Sequence, residues 1–136
     1  MSEPLKETRA MIAAMAPELQ PGLFLFCSTD DPALAANCLR PAIAMMTEAE
    51  GLSFILPVEE ARMLGFDSAI PMRQITLTVH SALDGVGLTA AVAGALADHG
   101  IACNMVAGFH HDHIFVPENR AGDAMAVLKE IQRDFR

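Results

Sequence analysis

The stretch Gln74-Ile75-Thr76-Leu77-Thr78-Val79-His80 runs through Ser81-Ala82-Leu83-Asp84-Gly85-Val86-Gly87 into Leu88-Thr89-Ala90-Ala91-Val92 and on to Leu96-Ala97-Asp98-His99-Gly100. Its first part alternates. Ile75, Leu77 and Val79 fall on one side and Thr76, Thr78 and His80 on the other, which predicts a strand with one buried face. The third part places Leu88, Val92, Leu96 and His99 on one stripe, which predicts a helix over 87–99 terminated by Gly100. Between them lies a turn carrying two glycines.

The pattern extends in both directions. Ile101 to Ala107 reads as a second strand and His113 to Val116 as a third, with Gly108-Phe109-His110-His111-Asp112 as the hairpin loop between them. Pro117 stops the third strand, and Ala124, Leu128 and Ile131 sit at helical spacing within a helix over 119–133. Residues 73–133 therefore read β-α-β-β-α. On the N-terminal side, residues 4–16 read as a helix with Ser2 as its cap, Pro4 in its first turn, and Leu5, Ile12 and Met15 on one face. Pro21-Gly22 breaks the chain. Leu23 to Cys27 is a short buried strand ending in Ser28-Thr29-Asp30-Asp31-Pro32, and residues 30–40 remain unassigned. Ala42 to Thr47 and Leu52 to Leu56 form a hairpin around Glu48-Ala49-Glu50-Gly51. Pro57-Val58-Glu59-Glu60 opens a short helix that Gly65 stops. Both halves thus contain a hairpin followed by a helix, a duplication at the level of elements. The fold class is α+β, ferredoxin-like βαββαβ, in two halves with antiparallel sheets and helices on one face. The division expected is 1–69 and 70–136.

Bulk properties narrow the function classes. The chain has 136 residues, enough for one ordinary domain or two small ones sharing a core. Apolar residues make up 52% and charged residues 19%, so a real core forms and disorder is not expected. Formal net charge is −8 and the nine Lys and Arg residues are scattered, which argues against nucleic-acid and anionic-membrane partners. No apolar run approaches the ~20 residues that span a bilayer. The acidic start Met1-Ser2-Glu3-Pro4-Leu5-Lys6-Glu7 lacks the features of a signal peptide. Cys27, Cys38 and Cys103 have no even pairing or close spacing, which fits reduced thiols in the cytoplasm rather than a disulfide framework or a zinc knuckle. The absence of Trp and Tyr removes the usual stacking residues for nucleic acid, and the seven Phe are expected to be largely buried.

The run His80 to Val92, followed by Leu96-Ala97-Asp98-His99-Gly100-Ile101 and Asn104-Met105-Val106, resembles the ACT domain, a family of regulatory modules that often bind amino acids. The matching positions are Gly87 and Leu88 at the strand-to-helix turn, Gly100 and Ile101 after the small-residue helix, and Asn104 on the second strand. Many ACT domains carry Asp-Arg-Pro-Gly at that turn, where this chain has Asp84-Gly85-Val86-Gly87. Phe109 to Pro117, with Glu48 to Pro57, is similar to a narrower group of small bacterial proteins in which a domain called DUF2241 precedes an ACT domain.

The glycines have a physical reading. Gly85 and Gly87 allow a sharp turn and leave no side chain above the strand ends. The next helix then presents free N–H groups and a positive dipole end, where a carboxylate can settle. Backbone carbonyls near Asn104 to Val106 would accept from an amino group. The bland alternative is that the glycines only make the turn. The expected ligand-binding set is Ser81, Leu83, Gly85, Val86, Gly87, Leu88, Asn104, Met105 and Val106.

His110-His111-Asp112-His113 allows a second chemistry. On an extended segment His111 and His113 point to one side, and two imidazoles at that spacing can share a metal with a third ligand such as His80 or His99. The bland alternative is a polar hairpin loop whose histidines hydrogen-bond the turn. Asp30-Asp31 and Glu59-Glu60 are adjacent pairs that do not converge on one substrate and read as helix caps or solvated ends. Cys27 and Cys103 read as core thiols with no histidine placed beside them by sequence. The expectation is therefore a stand-alone sensor, not an enzyme, with no cofactor, binding an amino acid, forming a homodimer, and read by a protein partner. A purely structural adaptor and a metal-dependent enzyme using the histidine string are the alternatives.

Overall fold

The computed structural model describes residues 7–67, 70–80 and 82–135. These divide into two compact units, one of residues 22–72 and one of residues 7–21 with 73–135. The sequence-based division at 69/70 differs from this one at the N-terminal end. Residues 17–19 belong with the second half of the chain because they form a strand, β1 (Pro17–Leu19), that pairs antiparallel with β5 (Met72–Leu77) through Pro17↔Leu77, Glu18↔Thr76 and Leu19↔Ile75. No strand was expected at 17–19.

The unit of residues 22–72 runs β2 (Phe24–Thr29), α2 (Pro32–Leu39), β3 (Ala44–Glu48), β4 (Gly51–Pro57) and α3 (Val58–Met63). Its strand order is β3-β4-β2, antiparallel, and Phe24 of β2 also pairs with Met72. The segment left unassigned from sequence contains α2. Asp31 caps it by accepting from the Ala33 N–H at 3.1 Å, and Pro32 fills its first turn. Leu25, Cys27, Ala35, Cys38, Phe54, Leu56 and Ala61 form the core between strands and helices. The opposite strand face is less covered: Phe26 is 39% exposed, against the expectation of a buried ring. It alternates with Leu25 and Cys27, which the helices claim.

The other unit runs α1 (Thr8–Ala14), β1, β5, α4 (Leu88–Asp98), β6 (Asn104–Ala107), β7 (Asp112–Pro117), a 3-10 turn (Glu118–Arg120) and α5 (Ala121–Asp134). Its strand order is β1-β5-β7-β6. Started at β5, the order is β-α-β-β-α, and β1 from earlier in the chain supplies the closing strand of the ferredoxin-like unit. The helix α1 is additional to that plan. It is shorter than expected, and Glu7 caps it, accepting from the Arg9 and Ala10 N–H groups at 2.9 and 2.7 Å. Ser2 and Pro4 lie outside the described residues.

The α1, α4 and α5 helices cover one strand face. Ile75, Leu77, Leu88, Val92, Leu96, Ile114, Val116 and Leu128 meet Met11, Ile12 and Met15 there. Each such residue contributes roughly 1.5–3 kcal/mol by leaving water. His99, expected on the same stripe, is instead exposed at the C-cap of α4, with its Nδ1–H donating to the Ala95 carbonyl at 2.9 Å. Phe109 is 73% exposed at the β6–β7 hairpin, again contrary to expectation. Strand β6 starts at Asn104, three residues later than expected, although Ile101 is buried.

Candidate functional site

A cavity of about 170 Å³ opens at the start of α4. One wall is the β5–α4 turn, with Ala82, Leu83, Gly85 and Gly87, leading into Leu88 and Thr89. Another is the β6–β7 hairpin, with Ala107, Gly108 and Asp112. Met11 of α1 completes the lining.

The turn is shaped by Gly87. Its φ is +109°, a left-handed conformation that side chains rarely adopt, and it is the N-cap of α4. A glycine cap has no side-chain oxygen to accept from the first N–H groups of the helix; its carbonyl accepts from the Ala91 N–H at 2.9 Å. Those donors therefore face the cavity end without a side-chain partner from their own cap. The Thr8 side chain lies against the same glycine, with Cγ2 2.7 Å from where a Cβ would stand, and its hydroxyl donates to the Val86 carbonyl. The hairpin wall is equally tight. The Gly108 N–H donates to the His111 carbonyl at 2.9 Å, and a Cβ on Gly108 would lie 2.9 Å from that oxygen.

Of the residues expected from sequence to bind a ligand, Leu83, Gly85, Gly87 and Leu88 line this cavity. Val86 is 76% exposed and contributes its carbonyl to the Thr8 contact instead. Ser81 lies outside the described residues. Asn104, Met105 and Val106 sit on β6 away from the lining. Asn104 Nδ2 donates to the Phe115 carbonyl at 3.2 Å, and Met105 packs on the helix-side core. Met11, Thr89 and Asp112 join the cavity wall without having been read as ligand-binding residues. Asp112 stood in the quoted histidine string, so its hairpin position was legible. Met11 was not, since nothing local links residue 11 to residue 87.

The histidines separate. His113 Nδ1 sits 3.0 Å from Thr76 Oγ1 and 3.2 Å from Gln74 Nε2. Thr76 Oγ1 in turn accepts from Gln20 Nε2 at 3.2 Å, so the hydroxyl proton is free to point at His113. Burial lowers the His113 pKa below the usual histidine value, and neighbouring His111 lowers it further while Asp112 acts in the opposite direction. His111 Nδ1–H donates to the Val79 carbonyl at 3.2 Å. His80 and His110 face each other with ring centroids 5.8 Å apart. Among the described residues no three His, Cys, Asp or Glu side chains gather where they can hold a metal.

The unit of residues 22–72 has a cavity at the corresponding place, between its first strand-to-helix turn and its hairpin, of about 360 Å³. Its chemistry is opposite. Asp31 already occupies the helix N-terminus, and Asp30, Glu48 and Glu50 also line the space. Four carboxylates repel a carboxylate ligand.

No helix among the described residues is long and apolar enough to cross a membrane. None of the curated proteins matches the chain. Among solved structures, a Vibrio cholerae protein described as of unknown function and a possible transport protein is 43% identical. The match covers 88% of this chain and 92% of that one with a TM-score of 0.79. The regulatory subunit of aspartate kinase from Thermus thermophilus, ligand-free, is 12% identical over 87% of this chain and 97% of its own, with a TM-score of 0.64. The aspartate kinase of Clostridium acetobutylicum, described as an allosteric enzyme, is 9% identical over 87% of this chain and 34% of its own, at 0.62. These last two share the fold. Two family models described as ACT domain match residues 4–73 and 69–130, and with them the paired βαββα units place this chain in the ACT-domain family.

Proposed function

We propose that the chain is a regulatory ACT module that binds an amino acid in the cavity at the start of α4. The observation that carries this reading is the glycine-capped N-terminus of α4 opening on an enclosed space. A helix N-terminus whose cap supplies no side-chain acceptor, together with the dipole, favours a carboxylate there. Leu83, Leu88 and Met11 offer apolar surface. An amino acid, its carboxylate at the helix end and its side chain against that surface, is the simplest ligand of this chemistry. The self-capped, acidic cavity of the other unit makes it the poorer carboxylate site.

Ligand binding would be passed on through a homodimer and a protein partner. In support, β3 ends one unit's strand order and carries Met45 and Met46, 49% and 65% exposed, and an exposed apolar edge is normally paired. The narrower likeness to the DUF2241-containing proteins and a cytoplasmic setting belong to the same proposal, the latter supported by three free cysteines.

The test is a thermal-shift screen against the twenty amino acids, with nucleotides and divalent metals as comparators. A ligand at 100 times its dissociation constant stabilises the folded chain by about 2.7 kcal/mol. A rise with one or a few amino acids supports the reading. No rise with any amino acid at millimolar concentration overturns it and leaves a structural adaptor. A sedimentation run showing only monomer at high micromolar concentration removes the dimer.

A further inference from the structure

Four of the chain's five histidines stand together where the β6–β7 hairpin meets the end of β5. The His80 and His110 ring centroids are 5.8 Å apart, and those of His110 and His111 are 6.3 Å apart. His111 acts electrostatically on His113, which completes the series. Two of these rings tie the hairpin to β5. His111 Nδ1–H donates at 3.2 Å to the carbonyl of Val79, just past the end of the strand. His113 is half-buried, with Nδ1 at 3.0 Å from Thr76 Oγ1 and 3.2 Å from Gln74 Nε2. Its other edge lies against the hairpin, where a Cβ on Gly108 would stand 3.2 Å from His113 Nε2. The Gly108 N–H closes the hairpin on the His111 carbonyl at 2.9 Å. The His113 ring is thus clasped between β5 and the hairpin.

These contacts suit a neutral ring. Thr76 Oγ1 already accepts from Gln20 Nε2 at 3.2 Å, which leaves its own proton for His113. Gln74 presents an amide nitrogen to the same ring atom. A proton on Nδ1 would face two donors, and Thr76 is only 6% exposed, so a hydroxyl turned away has little water to meet. The charged groups nearby give little relief. Burial lowers the His113 pKa, His111 lowers it further, and only Asp112 opposes them. Glu18, opposite Thr76 on β1, is exposed, and Arg73 donates to the Gln20 carbonyl at 3.0 Å. Strand β6 places the uncharged Val106 opposite His113. We propose that the β6–β7 hairpin is a pH-sensitive latch, closed on β5 while His113 is neutral and released as the clustered histidines take up protons. The released hairpin binds the His113 proton more readily than the closed one, so acid favours release. Charge on both His80 and His110 adds repulsion between the end of β5 and the hairpin.

The experiment is amide hydrogen exchange of the full chain at pH 7.5 and pH 5, with labelling times scaled to the intrinsic rate at each pH. Amides of residues 104–114 are expected to lose protection at least about fivefold at pH 5, through local opening. Those of the β3–β4 hairpin, which carries no histidine, are the internal reference and are expected to keep theirs. His113→Gln is expected to lose most of the response. His99→Gln, at the exposed C-cap of α4, is expected to respond as wild type does. Imidazole nitrogen NMR shifts of wild type give an independent reading, with a bare Nδ1 on His113 expected at pH 7.5. Equal protection of residues 104–114 at both pH values in wild type overturns the proposal. So does a loss shared equally by the β3–β4 hairpin, a full response retained in folded His113→Gln, or a protonated Nδ1 on His113 at pH 7.5.

Discussion

Thr8 and Gly87 meet across the chain, the threonine methyl lying 2.7 Å from the point where a Cβ on the glycine would be. The glycine is thus required twice, once by its φ of +109° and once by its neighbour.

Gly87→Ala is therefore expected to destabilise the fold. The left-handed backbone costs about 1–2 kcal/mol, and forcing a methyl against Thr8 adds about 1–3 kcal/mol. Urea denaturation monitors the sum. The two costs separate in a double-mutant cycle with Thr8→Ala, which removes the hydroxyl and methyl. Residues in contact couple, so the pair should be more stable than the sum of the single losses. Strict additivity would mean that α1 does not press on this turn.

How much of this was legible depends on whether the signal was local. The β5–turn–α4 segment was readable because Ile75, Leu77 and Val79 keep a period of two and Leu88, Val92 and Leu96 a helical one, and all six are buried. The turn glycines were readable for the same reason. The α2 helix was not, because Ala33, Ala35 and Ala36 give little apolar contrast; its only sharp sign was Asp31-Pro32. The three residues of β1, one of them proline, are too short to show a period. Their pairing with β5 depends on the fold alone. Met11 was legible as an apolar helix residue and illegible as part of the cavity. Asn104 to Val106 were read as a source of backbone carbonyls for an amino group; their side chains have other places, Met105 against the core and Asn104 on the Phe115 carbonyl.

Asp31 gives a test of the assignment that sequence left open. It accepts from the Ala33 N–H at 3.1 Å and so satisfies one of the orphan donors of α2. Asp31→Ala is expected to lower stability by about 1 kcal/mol, within the 0.5–2 kcal/mol range of lost caps. Asp31→Asn or Asp31→Ser should restore most of it. A neutral Asp31→Ala in chemical denaturation would show that the first turn of α2 is held by other contacts.

The cysteines are expected to react slowly in the native chain. Burial pushes the Cys27 thiol up to about 11, with Cys38 adding to the effect. Cys38 and Cys103 are raised by burial as well. The thiolate is the reactive form, so its fraction near neutral pH falls at all three positions. Alkylation by iodoacetamide, followed by intact-mass spectrometry, should proceed far more slowly in buffer than in denaturant. Cys103, half-buried and packed at the edge of its core, should be modified first. Rapid labelling of Cys38 would show local opening around α2.

His113 makes stability depend on pH in a defined direction. Its Nδ1 faces the Thr76 hydroxyl, which already accepts from Gln20, and the Gln74 amide nitrogen. Both groups have protons to give, so the neutral ring is the form they suit. Burial and His111 lower its folded pKa, with Asp112 opposing. The unfolded chain then binds the proton more readily than the folded one. The sign follows from linkage: stability is full above the unfolded value of about 6.5 and falls as pH drops from there toward the lowered folded value, below which the loss is complete. Melting temperature is accordingly expected to fall between pH 7.5 and pH 5. Glutamine in place of His113 keeps polar atoms near Thr76 without titrating. The difference in melting temperature between wild type and His113→Gln should therefore shrink as pH falls, since only the wild type loses stability through this ring. A difference that stays constant across that range would mean that His113 is protonated as easily in the folded chain as in the unfolded one, and that its contact with Thr76 does not select the neutral ring.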